Sequence, residues 1–445
     1  MTRASLLLAL AAGAAALLAS PHARAGIEDT LGTGPRAMAL GGSSAARPGD
    51  FASAYYNPAG LAPGGRVVER GGFFEAHLSF VYAKPQLNAT SATGANLATA
   101  PTPDMAGLVV GTRFSVGRPF GVDGLDAGVA LYLPPNLFKW FVRPDDDVQW
   151  ALLGDRTQAF GAHAGLAYRL TRWLSLGVGV RVLFDVETTT TGQVTKVDLA
   201  SDPSTGKNVV DTSTQLGTAA RVFGRAAPLF GAMVTPVDTW RIGVSYRHES
   251  FVDDWGATTI SGVPDLGNMG YAHRFAHYFR PSELTVATSV DLGPRVDVSV
   301  DLTWSRWSAA KSTNRNTYGD GLWGDTITPA LGARVRATDA LSLMGGWRWQ
   351  RAPISNFGGP SNLLDADRTV PSMGLELDLG KLTGARELDA RVSAALSFLI
   401  LDGRTETKDF RRFPSDAALL ANPGYPSYSF GGHVSAMSVG LEAKF

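Results

Sequence analysis

Residues able to do covalent or metal chemistry are few in this chain and poorly grouped. It has no cysteine, which removes thiolate nucleophiles, disulfides and thiolate metal sites. His273 and His277 have the H-x-x-x-H spacing that presents two imidazoles on one face of a helix. No third ligand or acidic partner stands near them, so no metal site is expected. The run Asp145-Asp146-Asp147 fits a solvated acidic turn better than a divalent-ion site bridging lipopolysaccharide. A G-x-S-x-G nucleophile elbow is absent, and Gly32-x-Gly34 follows no strand, so it is not a nucleotide loop. The chain reads as no enzyme and needs no cofactor.

Other residues are suited to holding and passing a molecule. Arg169, Arg181, Arg247, Arg334 and Arg348 sit in alternating segments, and one of them could meet a ligand carboxylate. Pairing with Asp185, Glu249, Asp297, Asp301 or Glu376 is the plainer expectation, because charges withdrawn from water need partners. Two apolar clusters fall in polar connections. Leu137, Phe138, Trp140 and Phe141 form one; Trp255, Leu266, Met269, Tyr271 and Phe275 form the other. Such clusters are costly on a surface unless they pack or bind something, so both are read as ligand-capture loops. Tyr132-Leu133-Pro134-Pro135 closes a strand with residues that lack the ladder donor. It is read either as a disrupted stretch able to open sideways or as the start of a loop.

The elements that position these residues are strands. Leu174, Leu176, Val178, Val180, Val182, Phe184 and Val186 alternate with Ser175, Gly177, Gly179, Arg181, Asp185 and Glu187, the period-two signal. The same pattern runs through 295–306 and 386–401, and about fourteen such segments can be marked between residues 66 and 445. Most approach the roughly 9–11 residues a tilted strand needs to cross a bilayer. Short turns near 171–172, 237–239, 293–294, 338–339 and 381–384 alternate with long connections near 83–104, 135–156, 188–224, 252–280, 307–325, 352–368 and 402–432. That sorting is expected of an outer-membrane barrel. Trp173 and Trp240 follow short turns, where an aromatic girdle would lie.

Composition agrees. The 445 residues balance 40 basic against 40 acidic groups, with 51 glycines and 18% charged residues. Zero net charge offers no broad basic face, so nucleic acid is not an expected partner. Arg3, the apolar run Leu6 to Leu18 and Ala23-Arg24-Ala25 have the layout of a secretory signal peptide cut before Gly26. The expected organisation is a signal peptide (1–25), a turn-rich plug (26–65) and a transmembrane barrel (66–445) in the outer membrane of a Gram-negative bacterium. The plug would centre on Asp50 and Asn57-Pro58-Ala59, since an Asn-Pro step favours turns. Whether that turn gates or only supports is open at this stage. The aromatic end, Phe445, suits recognition by the barrel-assembly machinery, and the protein is read as a monomer.

Gly34-Pro35-Arg36-Ala37, Gly41-Gly42, Asp50 and Asn57-Pro58-Ala59, in this order behind the signal peptide, resemble the N-terminal hatch of the FadL/TodX-type outer-membrane transporters. Ala167-Tyr168-Arg169-Leu170 with Trp173-Leu174-Ser175-Leu176-Gly177, Gly243-Val244-Ser245-Tyr246-Arg247, Trp304-Ser305-Arg306-Trp307-Ser308 and Asp365-Ala366-Asp367-Arg368 are similar to family strands and turns. The resemblance implies an all-β, fourteen-stranded barrel with a hatch inside. It also implies passive transport of long-chain fatty acids or aromatic or alkane hydrocarbons by loop capture, hatch rearrangement and lateral release. The chain departs from the family where Gly26-Ile27 is followed at once by Glu28-Asp29, leaving Ile27 as the one apolar N-terminal residue to meet a ligand. The alternatives are a general porin for polar solutes, which would need no hatch, and a barrel enzyme or adhesin.

Overall fold

The computed structural model describes residues 28–47, 49–62, 74–99, 102–134, 148–153, 160–201, 208–263, 267–310, 322–354, 357–385 and 389–445, with backbone alone considered at 28–29, 183–216, 218, 220–223 and 251–278. Its strands are β1 (Phe74–Ser91), β2 (Met105–Ser115), β3 (Leu125–Leu133), β4 (Gln149–Trp150), β5 (Gly161–Arg169), β6 (Leu174–Ser201), β7 (Asn208–Val237), β8 (Trp240–Arg247) and β9 (Ser250–Val263). They continue as β10 (Gly267–Arg280), β11 (Glu283–Asp291), β12 (Val296–Ser305), β13 (Thr326–Arg336), β14 (Leu341–Gln350), β15 (Leu363–Leu364), β16 (Arg368–Asp378), β17 (Asp389–Thr407) and β18 (Ser427–Lys444).

Fourteen of these close an antiparallel barrel. The wall runs β6, β5, β3, β2, β1, β18, β17, β16, β14, β13, β12, β11, β8, β7 and returns to β6. First and last strands meet from Glu75↔Lys444 to Ser91↔Tyr428, and Phe74 and Phe445 exchange main-chain hydrogen bonds of 3.3 and 2.8 Å. Closure leaves no open edge, the condition for strands to span lipid. No helix among the described residues is long and apolar enough to cross a membrane.

Period two turns an apolar set outward on the wall strands, although on β1, β2, β17 and β18 residues such as Val81, Met105, Leu399 and Val434 are buried on the inner side. On β6, Leu176 and Val178 are exposed while Ser175 and Arg181, on the alternate positions, are buried; on β12, Val300, Leu302 and Trp304 face out and Asp297, Ser299 and Asp301 face in. An exposed apolar outside and a buried polar inside invert a soluble protein's pattern and match a lipid-facing wall around a filled lumen. Trp173 and Trp240 are exposed beside the short turns.

Four connections differ from the sequence reading. Residues 188–201 and 208–224 are not loop; they extend β6 and β7 as a paired ribbon from Glu187↔Arg221 out to Ser201↔Asn208. Residues 252–280 are largely the hairpin β9–β10, whose first strand runs parallel to the outer part of β6, Glu187↔Trp255 to Gln193↔Ser261. Wall strands β1, β17 and β18 likewise reach further into their long connections, to Ser91, Thr407 and Ser427. Thr188 to Thr191 and their neighbours are polar on both faces, so alternation could not mark them, although β-branched threonine suits a strand.

Candidate functional site

The lumen holds residues 28–62, folded into the helical turns Glu28–Leu31, Pro35–Ala39 and Ser53–Tyr56 and the 3₁₀ turn Pro58–Leu61. From Leu31 onward this segment is mostly buried against the inner wall. Irregular backbone at membrane depth survives only where its polar groups are satisfied inside the protein, and the inward side chains do that here. Asp301 on β12 accepts hydrogen bonds from the Ser43 hydroxyl (2.9 Å) and the Ser44 and Ala45 amides (3.0 and 2.9 Å). Ser289 donates to the Ala46 carbonyl at 2.8 Å and Ser175 to that of Ala62 at 2.6 Å. Arg47 donates to Ser299 at 2.9 Å and pairs with Asp297.

Asn57 is buried and uses both ends of its amide. Its Nδ2 donates to the Ala45 carbonyl (2.9 Å) and to that of Ala232 on β7 (3.2 Å), and its Oδ1 accepts from the Ala59 amide at 3.1 Å. The side chain caps the turn that Pro58 starts, and it ties that turn to the wall. Asp50 accepts from the Ala52 amide at 3.0 Å and from Arg36 at 2.9 Å. Arg36 also reaches Glu376 on β16 at 2.6 Å and Glu442 on β18 at 3.4 Å. One guanidinium thus joins two wall strands to the segment they enclose. Ile27, expected at the apolar N-terminus, lies outside the described residues.

Glycines on the inner wall let the segment press against backbone. A Cβ at Gly111 on β2 would overlap the Phe51 ring, and one at Gly346 on β14 would overlap the backbone of Leu40 and Gly41. Phe51 stacks on His77 of β1 with ring centroids 4.2 Å apart, and its amide donates to Glu75 at 3.2 Å. Sequence reasoning singled out neither Arg36 nor Phe51 for a role. The available signal was glycine inside an alternating strand, which marks a close backbone approach.

Above Phe51 the lumen turns apolar. Val81, Ala83, Met105, Val109, Ala130 and Tyr132 continue from it as one buried cluster with Leu399, Leu401, Phe430 and Val434 of β17 and β18. The cluster reaches Trp150 and Phe357 of the long connections, with Trp150 and Phe430 edge to face at 5.9 Å. β4 and β15 hold this outer end together, pairing in parallel as Leu363↔Gln149 and Leu364↔Trp150. Buried Lys408 donates to the carbonyls of Phe357, Gly359 and Ser361 at 3.2, 2.8 and 2.7 Å. Burial pulls its ammonium down to about 7. Asp365 accepts from Arg368 at 3.1 Å, yet burial raises its carboxyl to about 6, against the pull of Arg368.

The five arginines on alternating segments divide. Arg181 is buried and donates to Ser250 at 2.7 Å and the His248 carbonyl at 3.2 Å. Arg247 pairs with Glu283 at 3.4 Å and lies 4.5 Å over the Tyr55 ring. Arg334 pairs with Asp297 at 2.7 Å, and Arg348 donates to the Thr30 carbonyl. Arg169 stands at the short-turn end of β5, beside Gly124. Glu249 lies between β8 and β9, not in a wall strand.

For Tyr132-Leu133-Pro134-Pro135, the structure removes the disrupted-strand alternative over the residues it describes. β3 pairs without a shift with β2 from Leu108↔Leu133 to Ser115↔Asp126 and with β5 from Leu125↔Tyr168 to Tyr132↔Gly161. Pro134 follows the last paired residue, where its missing donor interrupts nothing, and the Tyr132 hydroxyl donates to the Ala106 carbonyl at 2.9 Å. Pro135, Leu137, Phe138, Trp140, Phe141, the three aspartates and Leu266 lie outside the described residues. Trp255 is on β9, and Met269, Tyr271, Phe275, His273 and His277 are on β10. Strand geometry removes the helical spacing a His273–His277 metal pair would need. Among the described residues no three His, Asp or Glu are grouped to hold a metal.

A closed fourteen-stranded barrel with an apolar exterior and a tethered segment in its lumen is the architecture of an outer-membrane β-barrel protein. Residues 14–443 match the family described as outer membrane protein transport protein (OMPP1/FadL/TodX), and the chain belongs to that family. Its place is the outer membrane of a Gram-negative bacterium. Among solved structures it is similar to a Pseudomonas aeruginosa FadL homologue (16% identity, TM-score 0.56, covering 96% of this chain and 98% of that one). The P. putida toluene transporter TodX is similar at 14% identity and TM-score 0.56, covering 93% and 98%. The Ralstonia pickettii toluene transporter TbuX stands at 14% and 0.52, again covering 93% and 98%. No curated protein matches the chain by sequence.

Proposed function

We propose that this protein carries hydrophobic small molecules across the outer membrane, that residues 28–62 are its hatch, and that cargo leaves sideways into the membrane. One observation carries the reading: the buried apolar cluster runs from Trp150 and Phe357 inward to Phe51, where the tethered segment blocks it. Burying apolar surface is worth about 25 cal/mol per Å², so such a lining favours apolar cargo over a hydrated solute. A general porin has no use for a lumen filled and hydrogen-bonded at so many points. Family membership and two similar structures named as toluene transporters agree with it.

The cargo class we favour is an uncharged aromatic or alkane hydrocarbon. Arg181, Arg247, Arg334 and Arg348 are already engaged within the chain, so a fatty-acid carboxylate would have to displace an existing partner. The test is uptake of radiolabelled toluene and oleate by cells with and without the protein, joined to mass spectrometry of compounds that co-purify with it. Faster toluene uptake is expected. Equal uptake of both probes with and without the protein would contradict the transport reading.

A further inference from the structure

Two buried tyrosines have satisfied hydroxyls and a third does not. The Tyr132 hydroxyl donates to the Ala106 carbonyl at 2.9 Å, and that of Tyr56 accepts from the Thr33 amide at 3.3 Å. Tyr428, at the start of β18, is only 1% exposed, yet its hydroxyl has no hydrogen-bond partner among the described residues. A buried phenol usually finds a partner, and each one that does not calls for a reason.

The surroundings of this hydroxyl suit part of a cargo molecule. Tyr428 belongs to the buried apolar cluster that runs inward to Phe51. Its ring stacks on Phe430 with centroids 5.6 Å apart, and Phe430 in turn meets Phe357 at 5.7 Å and Trp150 at 5.9 Å. These rings stand at the outer end of the cluster, where cargo arrives first. Aromatic walls of this kind receive an aromatic guest by stacking or edge contact.

The charges beside the rings argue against an ionised guest. The β17–β18 ladder shifts register between Leu401↔Gly432 and Arg404↔Phe430, which sets Arg404 and Glu406 opposite Phe430 and Tyr428. Arg404 pairs with Glu406 and lies 4.3 Å over the Phe357 ring. Lys408, 5.1 Å from the centre of the Tyr428 ring, gives its Nζ to three carbonyls. A carboxylate would have to displace one of these partners and would meet Glu406 as a like charge. A neutral hydroxyl meets neither cost. Taken out of water it needs a hydrogen-bond partner, and the Tyr428 hydroxyl can serve as donor or acceptor.

We propose that Tyr428 is the polar contact of an outer subsite that takes uncharged aromatic molecules bearing a hydroxyl, alongside plain hydrocarbons. The inference rests on the transport reading above and extends its cargo class. The ring of such a molecule lies among Phe430, Phe357 and Trp150, and its hydroxyl pairs with that of Tyr428. A lining without the tyrosine hydroxyl would reject it, because the guest would lose its bonds to water and gain none.

The test compares p-cresol with toluene, which has the same ring and methyl group but no hydroxyl. Equilibrium dialysis of the two radiolabelled probes against the purified barrel is run for the wild type and for Tyr428→Phe, with heat-modified mobility confirming that both are folded. The expected result is p-cresol binding weakened about fivefold or more in the variant, with toluene binding changed by less than about twofold. The ligand-free variant should melt no lower than the wild type, since the lost hydroxyl bonded nothing. A third probe, p-toluate, is measured on the wild type alone and should bind at least about tenfold more weakly than p-cresol. Equal p-cresol affinity in the two proteins overturns the subsite while leaving the transport reading intact. So does a variant that melts lower and loses affinity for both probes alike, or p-toluate bound as tightly as p-cresol. If the wild type binds neither p-cresol nor toluene and confers no toluene uptake, the transport reading falls and this inference with it.

Discussion

Two proline-bearing parts of the wall behave oppositely. In β3 the proline comes after the ladder is complete, and the strand is sealed to both neighbours through its last residues. In β13 and β16 the prolines lie inside the strands, and pairing fails beside each of them. What interrupts a ladder is thus a proline whose position calls for a donor, not proline near a strand end. The second of these regions also carries an anchor for the enclosed segment, since Arg36 binds Glu376 on β16 as well as Glu442 on β18.

Breaking that anchor should have the largest effect. Arg36→Ala takes from buried Glu376 its hydrogen-bonded cation, while Glu442 keeps Arg391 and Lys444; breaking an ion pair on one side costs about 3–5 kcal/mol. It should appear as a lower unfolding temperature and a raised ion conductance as the segment loosens. Next, Pro329→Val with Pro371→Val returns two N–H donors to the β13–β16 region and should raise the unfolding temperature. Pro134→Val should leave it unchanged; an equal rise in the Pro134→Val protein would reverse the comparison. Arg348→Ala removes the tie to Thr30 and should alter uptake two- to threefold with little change in unfolding temperature. The smallest effect belongs to Tyr132→Phe. Losing the hydroxyl's bond to Ala106 costs about 0.5–1.5 kcal/mol, visible in the melting of the purified barrel and absent from uptake rates.

Much of the wall was legible because lipid outside and polar contacts inside force each strand into strict alternation, as at Val300, Leu302 and Trp304 against Asp301 and Ser299. The segment in the lumen was legible from Asp50 and Asn57-Pro58-Ala59, as a turn-rich stretch ahead of the strands and then through resemblance. Its tethers were not: Asn57 binds a main-chain carbonyl 175 residues away, and a main-chain partner leaves no mark on side-chain pattern. The extended β6–β7 ribbon escaped notice because the run Thr188 to Gln193 has no alternation to mark it. Pro329 escaped for the opposite reason, since a proline does not disturb period two along its own strand; the missing bond belongs to the space between strands. Gly111 and Gly346 show how far a single sequence goes: each signals a close approach, and neither says that Phe51 or Leu40 is the visitor.

The central claim is that apolar cargo passes only when residues 28–62 shift within the barrel. Ser43 and Ser299 stand with their hydroxyl oxygens 2.9 Å apart, one on the segment and one on β12, so Ser43→Cys with Ser299→Cys can lock the two together reversibly. Toluene uptake should fall at least tenfold when this variant is oxidised and recover when it is reduced. Uptake that is as fast oxidised as reduced would contradict the account.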